Sequence, residues 1–284
     1  MKKIMAVVLA SLMAVLLLAG CGGNAQKGYR ILDETLADEE YVIGFKKGNE
    51  SLRNAVMKAL VELKNDGTLA EISTKWFGED KIIVPDTYTE TEATDDSLQK
   101  VKEAGELVMG MDEAFPPMGF RDDNWEIVGF DVDVARAVCE KLGVELSPSP
   151  IDWKANVNML NEGKVDCLWN GFTKTADREA ALTLSEPYMV NRQVVVVMED
   201  SDIQTLADLK DKSVVLQSGS SAVEALDGKP DVKASLKGGA PIMVDNNVLA
   251  LNDLSKGGSD AVILDEVVAR YYVNHEDQLA KVTE

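Results

Sequence analysis

The sequence predicts an α/β fold divided into two lobes. Segments with the residue pattern of strands alternate with segments that have the spacing of helices, a pattern typical of parallel βαβ units. A run without periodicity interrupts the chain, and 284 residues are enough to bury two cores. In such sheets, ligands bind at the carboxyl ends of the strands, where we therefore look for functional residues.

The N-terminal segment predicts a secretion signal that is removed from the fold. Two lysines precede an apolar run at 4–19, which is shorter than the roughly 18 to 20 residues of a spanning helix and ends in small residues. Leu-Ala-Gly-Cys at 18–21 resembles the bacterial lipobox, which implies that Cys21 is lipidated once 1–20 are cleaved off. An uncleaved anchor and a simple cleaved signal are the alternatives. Residues 21–28 would then tether the protein to the outer face of a membrane.

The next segments predict two strands, two helices and a linker. Apolar residues at helical spacing indicate the first helix, and Thr68 with Glu71 has the spacing of a capping box for the second. An acid- and threonine-rich run without periodicity indicates the linker. In order, we expect strands near 29–32 and 41–45, helices over 51–63 and from Thr68 to 78, and a linker over 85–97.

Beyond the linker, strands and helices alternate, with Gly143 stopping the first of these helices. We expect strands near 106–111, 144–148, 165–169, 194–198, 213–217 and 260–264, and helices near 131–142 and 155–160.

Composition argues against several classes of function. A formal net charge of −20 argues against nucleic acid as a partner, because phosphates require a basic surface. The single histidine, His275, lies in a polar stretch, which argues against histidine-dependent catalysis and against a multi-histidine metal site. We expect neither a metal nor a cofactor. Cys139 on a predicted helix and Cys167 in a predicted strand are expected to be buried free thiols.

Several sequence motifs after the linker resemble the polar amino-acid-binding family of periplasmic-type solute-binding proteins. They are Leu-Val-Met-Gly-Met-Asp-Glu-Ala-Phe-Pro-Pro-Met at 107–118, Val-Gly-Phe-Asp-Val-Asp-Val-Ala at 128–135, Asp-Trp at 152–153, Gly-Phe-Thr-Lys-Thr-Ala-Asp-Arg at 171–178, Ser-Glu-Pro-Tyr at 185–188 and Asp-Ala-Val-Ile-Leu-Asp-Glu at 260–266. The resemblance implies a two-lobe, type II periplasmic-binding-protein-like fold with hinge strands. It also implies capture of a free amino acid for the membrane subunits of an ABC importer.

The order of the segments is rearranged relative to this family. Residues 29–78 resemble its C-terminal end, including Tyr-Val-Ile-Gly-Phe-Lys-Lys-Gly-Asn at 41–49, yet they precede the rest. The resemblance therefore implies a circular permutation, natural or engineered, in which the linker joins the ordinary C- and N-terminal ends. The family's division into lobes would give lobe 1 (42–193) and lobe 2 (28–40 with 196–284), with hinge strands near 39–42 and 192–196.

Arg178 and two serines are candidate groups for binding an anion. Arg178 lies in the first turn of a helix with Thr175 as its expected N-cap, where a cation opposes the helix dipole, so an anion is expected nearby. The alternative is a salt bridge. Ser220 and Ser221 follow a predicted strand at a glycine turn, where free backbone N–H groups can bind an anion. The alternative for Ser221 is that it only caps the following helix. The resemblance implies that all three bind the α-carboxylate of the ligand.

Asp265 is the candidate for binding a cation. It ends a predicted strand, and a helix N-cap is the alternative role for its side chain. The resemblance implies that Asp265 binds the ligand's ammonium, together with the carbonyl of Gly171 and the hydroxyl of Thr173.

The remaining candidates concern the ligand side chain. Phe115 and Trp153 match aromatic positions that flank it in the family, although each could be core. Asp112 matches a position that meets a distal polar group, which favours a polar or basic amino acid. Asn170, next to Trp169, stands where the family often has small residues, and we include it in the site.

Transport is the favoured function, with the protein acting as a monomer rather than as an enzyme. An enzyme of dehydratase type on the same fold and an amino-acid sensor are the alternatives, and an enzyme would need an acid or base such as Glu113 in the cleft.

Overall fold

A computed structural model describes residues 28–275. The predicted signal at 1–20, the lipidation site Cys21 and nearly all of the tether lie outside the described residues. Within residues 28–275, no helix combines the length and the apolarity that crossing a membrane requires.

Twelve strands form two sheets in this part of the chain. They are β1 (Tyr29–Lys46), β2 (Glu106–Met111), β3 (Ala114–Phe115), β4 (Gly119–Arg121), β5 (Ile127–Val128), β6 (Glu145–Pro150), β7 (Cys167–Thr173), β8 (Leu182–Leu184), β9 (Met189–Met198), β10 (Val214–Gln217), β11 (Ile242–Val244) and β12 (Ala261–Asp265). The main sheet has the order β11-β10-β12-β9-β1-β7-β2-β6, with β8 also paired to β1, and β3-β4-β5 form a small meander.

The main sheet has two parallel halves joined by two long antiparallel strands. β2 pairs in parallel with β6 and β7, and β10 pairs in parallel with β11 and β12. Between them, β1 and β9 pair antiparallel with each other and with their outer neighbours. We call the β2, β6, β7 and β8 side the β7 half, and the β10, β11 and β12 side the β12 half. The α/β prediction is confirmed.

β1 is one strand where the sequence predicted two. The acid-rich residues between the predicted strands are also paired with β9, with Glu39 opposite Asn191 and Glu40 opposite Val190. Register shifts on both sides of Thr35 interrupt the ladder without ending it. Backbone hydrogen bonds to β9 hold this segment extended even though its side chains are polar. The gap that the sequence predicted between two strands is therefore absent.

Of the ten α-helices of the described residues, nine lie between strands along the chain and α10 follows the last strand. They are α1 (Glu50–Asn65), α2 (Thr68–Phe77), α3 (Ser97–Ala104), α4 (Phe130–Leu142), α5 (Asn156–Asn161), α6 (Ala176–Ala181), α7 (Ala222–Asp227), α8 (Pro230–Ser235), α9 (Asn247–Ser255) and α10 (Glu266–Asn274). Gly143 ends α4 in the left-handed conformation, as predicted. The capping box at Thr68 is wrong: Gly67, with φ of 90°, is the N-cap, and the Thr68 hydroxyl donates to Asp66 Oδ1 at 2.6 Å.

The predicted linker has almost no regular structure, but it is held against α1. Asn54 Nδ2 donates to the carbonyl of Thr91 at 2.7 Å, and the Ser51 hydroxyl donates to Asp95 at 2.7 Å. Its last residue, Ser97, begins α3, a helix that the sequence reading missed. The linker is therefore part of the packed surface of the molecule.

The cores lie on both faces of the sheet. One cluster joins the buried faces of α1, α2 and α4 to strand residues such as Ile43 and Met109, and a second lies under α7 in the β12 half. Cys139 and Cys167 are free and buried, as predicted, and burial raises the pKa of the Cys139 thiol to about 12. Both thiols are therefore inert parts of the core.

Candidate functional site

Three strands end at the seam between the two halves. Thr173 ends β7, Gln217 ends β10 and Asp265 ends β12. Each is buried at the carboxyl end of its strand. The seam is therefore the edge at which α/β sheets bind ligands.

Arg178 is a buried cation at this seam. Its backbone N–H donates to the Thr175 hydroxyl at 3.3 Å, which confirms Thr175 as the cap of α6. The guanidinium lies 4.0 Å from the ring centroid of Phe172, and it donates to the carbonyl oxygens of Thr173 at 2.7 Å and Gly219 at 3.3 Å. Burial lowers its pKa. These acceptors are neutral, and no ion pair of Arg178 is found within residues 28–275.

Asp265 is a buried carboxylate at the same seam. It occupies the N-cap position of α10, but its side chain makes no capping hydrogen bond. Instead, its Oδ1 accepts from the Tyr41 hydroxyl and from Asn191 Nδ2, both at 2.7 Å. Burial, and then the nearby carboxylate of Glu39, raise the pKa of Asp265 to about 7.

A closed set of hydrogen bonds connects the two halves between these charges. The Thr173 hydroxyl donates to Glu39 Oε2 at 3.1 Å, and the Ser221 hydroxyl donates to Thr173 Oγ1 at 3.1 Å. Gln193 Nε2 donates to both Ser221 Oγ, at 3.2 Å, and Glu39 Oε2, at 3.1 Å. Ser221 makes no capping bond to α7, so its hydroxyl serves this network instead.

The glycine turn before α7 touches the other half. Ser220 does not join the network, because its hydroxyl donates to the carbonyl of Gln217 in its own turn at 2.8 Å. Gly219 has φ of +76°, and a Cβ at this position would lie 2.8 Å from the Cα of Lys154. Only glycine fits this close approach of two backbones.

Asp112 is bound across the seam. Gln217 Nε2 donates to its Oδ2 at 2.7 Å, and the Ala114 N–H donates to its Oδ1 at 2.9 Å. Burial raises the pKa of Asp112. Asn170 accepts the Asp112 N–H at 3.1 Å through its Oδ1, so Asn170 supports Asp112 from the interior.

Gly171 and Phe115 pack together beside Asp265. Gly171 has φ of +56°, and a Cβ there would lie 2.8 Å from the Phe115 ring and 3.0 Å from that of Tyr41. The Gly171 N–H donates to Asp131 Oδ2 at 2.7 Å. Burial raises the pKa of Asp131 to about 7.

A cleft of about 1420 Å³ lies between the halves, with Asp112 in its lining. Asp112, Trp153 and Lys154 line it from the β7 half, and Asp245 and Tyr272 from the β12 half. Acidic lining residues outnumber basic ones. The acids are Asp112, Glu113, Asp122, Asp123, Asp133, Asp152 and Asp245, and the bases are Lys75, Arg121 and Lys154.

The structure brings most of the predicted residues together. Arg178, Thr173, Ser221 and Asp265 meet at the seam, Asp112 and Trp153 line the cleft, Gly171 and Phe115 lie beside it, Asn170 lies behind Asp112, and Ser220 turns away. The sequence reading missed Tyr41, Asn191, Gln193 and Gln217 and gave Glu39 no binding role. Asn191 and Gln193 are two positions apart and so lie on one face of β9. Gln193 fell within the predicted hinge strand near 192–196 and Asn191 lay outside it, and neither was given a binding role.

No group of three or more His, Cys, Asp or Glu side chains suited to a metal ion is found within residues 28–275.

Known proteins share both this sequence pattern and this fold. The L-cystine-binding protein of Escherichia coli is 29% identical over 188 residues, which are 66% of this chain and 68% of that protein. The arginine-binding extracellular protein of Bacillus subtilis is 30% identical over 174 residues, which are 61% of this chain and 66% of that protein.

Solved structures agree with these sequence relatives. A histidine-bound ABC uptake transporter substrate-binding protein of Streptococcus pneumoniae matches with a TM-score of 0.63 and 32% identity, over 65% of this chain and 76% of that one. Holo ArgBP of T. maritima matches with a TM-score of 0.58 and 34% identity, over 63% of this chain and 77% of that one. A family model for bacterial extracellular solute-binding proteins, family 3, matches residues 4–79 and 107–281. The chain therefore belongs to the bacterial extracellular solute-binding proteins of family 3.

Proposed function

We propose that this protein captures one free amino acid between its two lobes and delivers it to the membrane subunits of an ABC importer. The observation that carries this proposal is the pair of buried, opposite charges at the seam. Within residues 28–275, Arg178 hydrogen-bonds neutral carbonyl oxygens, and Asp265 accepts from neutral donors.

A zwitterion is the ligand that suits both charges. A buried ion is costly unless an opposite charge and hydrogen bonds compensate it. The α-carboxylate would pair with Arg178 and accept from the turn at Ser221, and the α-ammonium would bind Asp265, the Thr173 hydroxyl and the Gly171 carbonyl. The electrostatic attraction strengthens as closure of the lobes removes water.

Acidic side chains in the cleft favour a polar or basic amino acid. Asp112 is buried, and a distal donor or cation on the ligand would satisfy its carboxylate. Phe115 and Trp153 would flank the aliphatic part of the side chain. Named relatives and structural neighbours bind cystine, arginine and histidine, which supports the amino-acid class.

The enzyme alternative gains no support. Glu113, the spare acid that the sequence offered, forms an ion pair with Arg121 at the rim, where both side chains are partly exposed. A general acid or base is expected inside the closed site, within reach of a reacting atom.

We also propose that the protein is a monomer anchored by a lipid on Cys21. The support is the short apolar run followed by Leu-Ala-Gly-Cys at 18–21. Family membership supports an extracytoplasmic location.

The permuted order of the lobes is a further part of this proposal. Lobe 1 would comprise 42–193, and lobe 2 would comprise 28–40 and 196–284, with β1 and β9 as the hinge. Tyr29 lies close enough to Tyr272 to contribute to the raised pKa of that tyrosine. The start of β1 and the end of α10 are thus neighbours, which supports an ancestral connection between them.

A thermal-shift panel tests the proposed ligand class. We expect one or a few of the twenty common L-amino acids and L-cystine to raise the melting temperature, by roughly 5 to 10 °C at a hundred times the dissociation constant. Calorimetry should then show that Arg178→Ala weakens this binding by about 100-fold or more, because the ligand carboxylate loses its buried partner.

The matched control is Arg136→Ala, which removes an exposed arginine from α4. It should bind as the wild type does. A wild-type protein that responds to no amino acid, or an Arg178→Ala variant that binds normally, would contradict the proposal.

A further inference from the structure

A second carboxylate, that of Glu39, lies beside Asp265. Glu39 on β1 is directly opposite Asn191 on β9. The same amide nitrogen, Asn191 Nδ2, donates to Glu39 Oε2 at 2.9 Å and to Asp265 Oδ1 at 2.7 Å. The two carboxylates therefore face each other across a single NH₂ group.

In the described part of the chain, the donors to these two carboxylates are neutral. Glu39 accepts from the Thr173 hydroxyl and from the amides of Asn191 and Gln193, and Asp265 accepts from Tyr41 and Asn191. Neutral donors orient two negative charges but do not cancel their repulsion. A cation between the carboxylates would cancel this repulsion.

Two buried acceptors beside this pair also lack donors. Asn191 Oδ1 and Gln193 Oε1 make no hydrogen bond within the described part of the chain, although Asn191 is only 4% exposed and Gln193 is fully buried. They belong to the same amide groups whose nitrogens bind Glu39. Buried acceptors are normally satisfied. Two carboxylates and two amide oxygens form a set of acceptors that suits a group with several N–H donors.

We infer that Glu39 and Asp265 together bind the ligand's α-ammonium, with the amide oxygens of Asn191 and Gln193 as further acceptors, and that binding releases a proton from Asp265. This inference rests on the proposed function, because it requires an amino acid as the ligand. The three N–H groups of the ammonium would be shared among these acceptors and the Thr173 and Gly171 oxygens, with the two carboxylates as its charged partners, and the proton goes to solvent.

The direction of the pH dependence follows from the charges around Asp265. Glu39 and Tyr41 face it from β1, and Arg178 acts on it from α6. Because the pKa of Asp265 is raised to about 7, Asp265 carries a proton in a fraction of the free molecules at pH 7. An ammonium favours the ionised form and lowers that pKa. Affinity should therefore rise with pH, by roughly tenfold between pH 6 and pH 8.

Calorimetry on the full chain tests this inference. The probe is the L-amino acid, among the twenty common ones and L-cystine, that gives the largest rise in melting temperature. Titrations at pH 7 in phosphate and in Tris, whose ionisation enthalpies differ, measure the protons released. We expect release of a fraction of a proton by the wild type, and less by Glu39→Gln, which should also bind at least tenfold more weakly.

Glu40→Gln is the matched control, since Glu40 is the adjacent, exposed residue of β1. It should bind and release protons as the wild type does. Wild-type binding that is independent of pH from 6 to 8 and releases no proton would overturn the inference without any variant. Normal binding by Glu39→Gln, while Arg178→Ala has lost binding, would overturn this inference alone. Failure of the wild type to bind any probe would overturn the proposed function as well.

Discussion

At the scale of single residues, the fold buries two opposite charges without pairing either in an ion pair within residues 28–275. The Arg178 guanidinium packs on the ring of Phe172 and donates to carbonyl oxygens. Asp265 accepts from a hydroxyl and from an amide. Stability alone would favour a direct ion pair or apolar replacements. The arrangement therefore favours ligand binding at the expense of stability.

The two buried cysteines allow a prediction that separates stability from binding. Cys139→Ser and Cys167→Ser each place a hydroxyl in an apolar core, so we expect each to lower the free energy of unfolding by about 1 to 3 kcal/mol. Urea denaturation measures the loss, and calorimetry should show unchanged ligand affinity. Cys→Ala at the same positions separates the polar effect from the loss of volume. Markedly weaker binding at unchanged stability would show that a thiol serves the site.

Sequence reasoning identified charged residues better than neutral ones. Arg178 and Asp265 follow predicted strands, and both are rare as fully buried residues, so each pointed to a site. Glu39 was placed only at the start of a predicted hinge strand, with no binding role. Its role depends on pairing with Asn191, more than 150 positions away along the chain, which no local pattern encodes.

At the scale of elements, the positions of strands and helices were predicted better than the side-chain caps of the helices. The predicted strands near 165–169 and 260–264 correspond to β7 and β12, each within a few residues, because apolar runs mark buried parallel strands. The caps expected from Thr68 and Ser221 are wrong, since both hydroxyls find other partners. Spacing indicates that a cap is available, and tertiary contacts decide whether it is used.

The turn between β10 and α7 gives the prediction at this scale. Gly219→Ala places a methyl group against the backbone of Lys154, so the lobes cannot approach as closely. We expect at least tenfold weaker amino-acid binding by calorimetry, and a smaller ligand-induced compaction in X-ray scattering.

Gly238→Ala is the control for backbone strain. Gly238 has a similar φ of +79°, yet nothing lies within 4 Å of an added Cβ. Its cost in stability should match that of Gly219→Ala, while its affinity should remain that of the wild type. Equal affinities for the two variants would show that the turn does not limit closure.

At the scale of the whole molecule, the two halves meet through side chains from distant parts of the chain. Gln217 reaches Asp112, and Lys154 forms an ion pair with Asp245 at 3.6 Å. Family-specific sequence motifs predicted this two-lobe architecture, but composition and periodicity alone predicted only an α/β fold. Neither the motifs nor the composition and periodicity predicted the contacts across the seam.

The proposed permutation predicts that the order of segments can be restored. A chain that runs through 97–284 and continues with 28–96 should fold to the same structure, because the start of β1 lies near Tyr272 of α10. We expect an affinity for the amino acid within a few-fold of the original, measured by calorimetry, and the same far-ultraviolet circular dichroism. An unfolded or aggregated product would contradict the proposed order.

The position of β1 at the centre of the sheet has a consequence for biosynthesis. Tyr41 pairs with Thr173 and Met189, so the strand is synthesised long before its partners. At roughly 5 to 20 residues per second, the wait is on the order of ten seconds. The acids along β1, Asp33, Glu34, Asp38 and Glu40, repel other unpaired strands during that interval. We therefore expect these carboxylates to oppose aggregation of the nascent chain before β1 finds its partners.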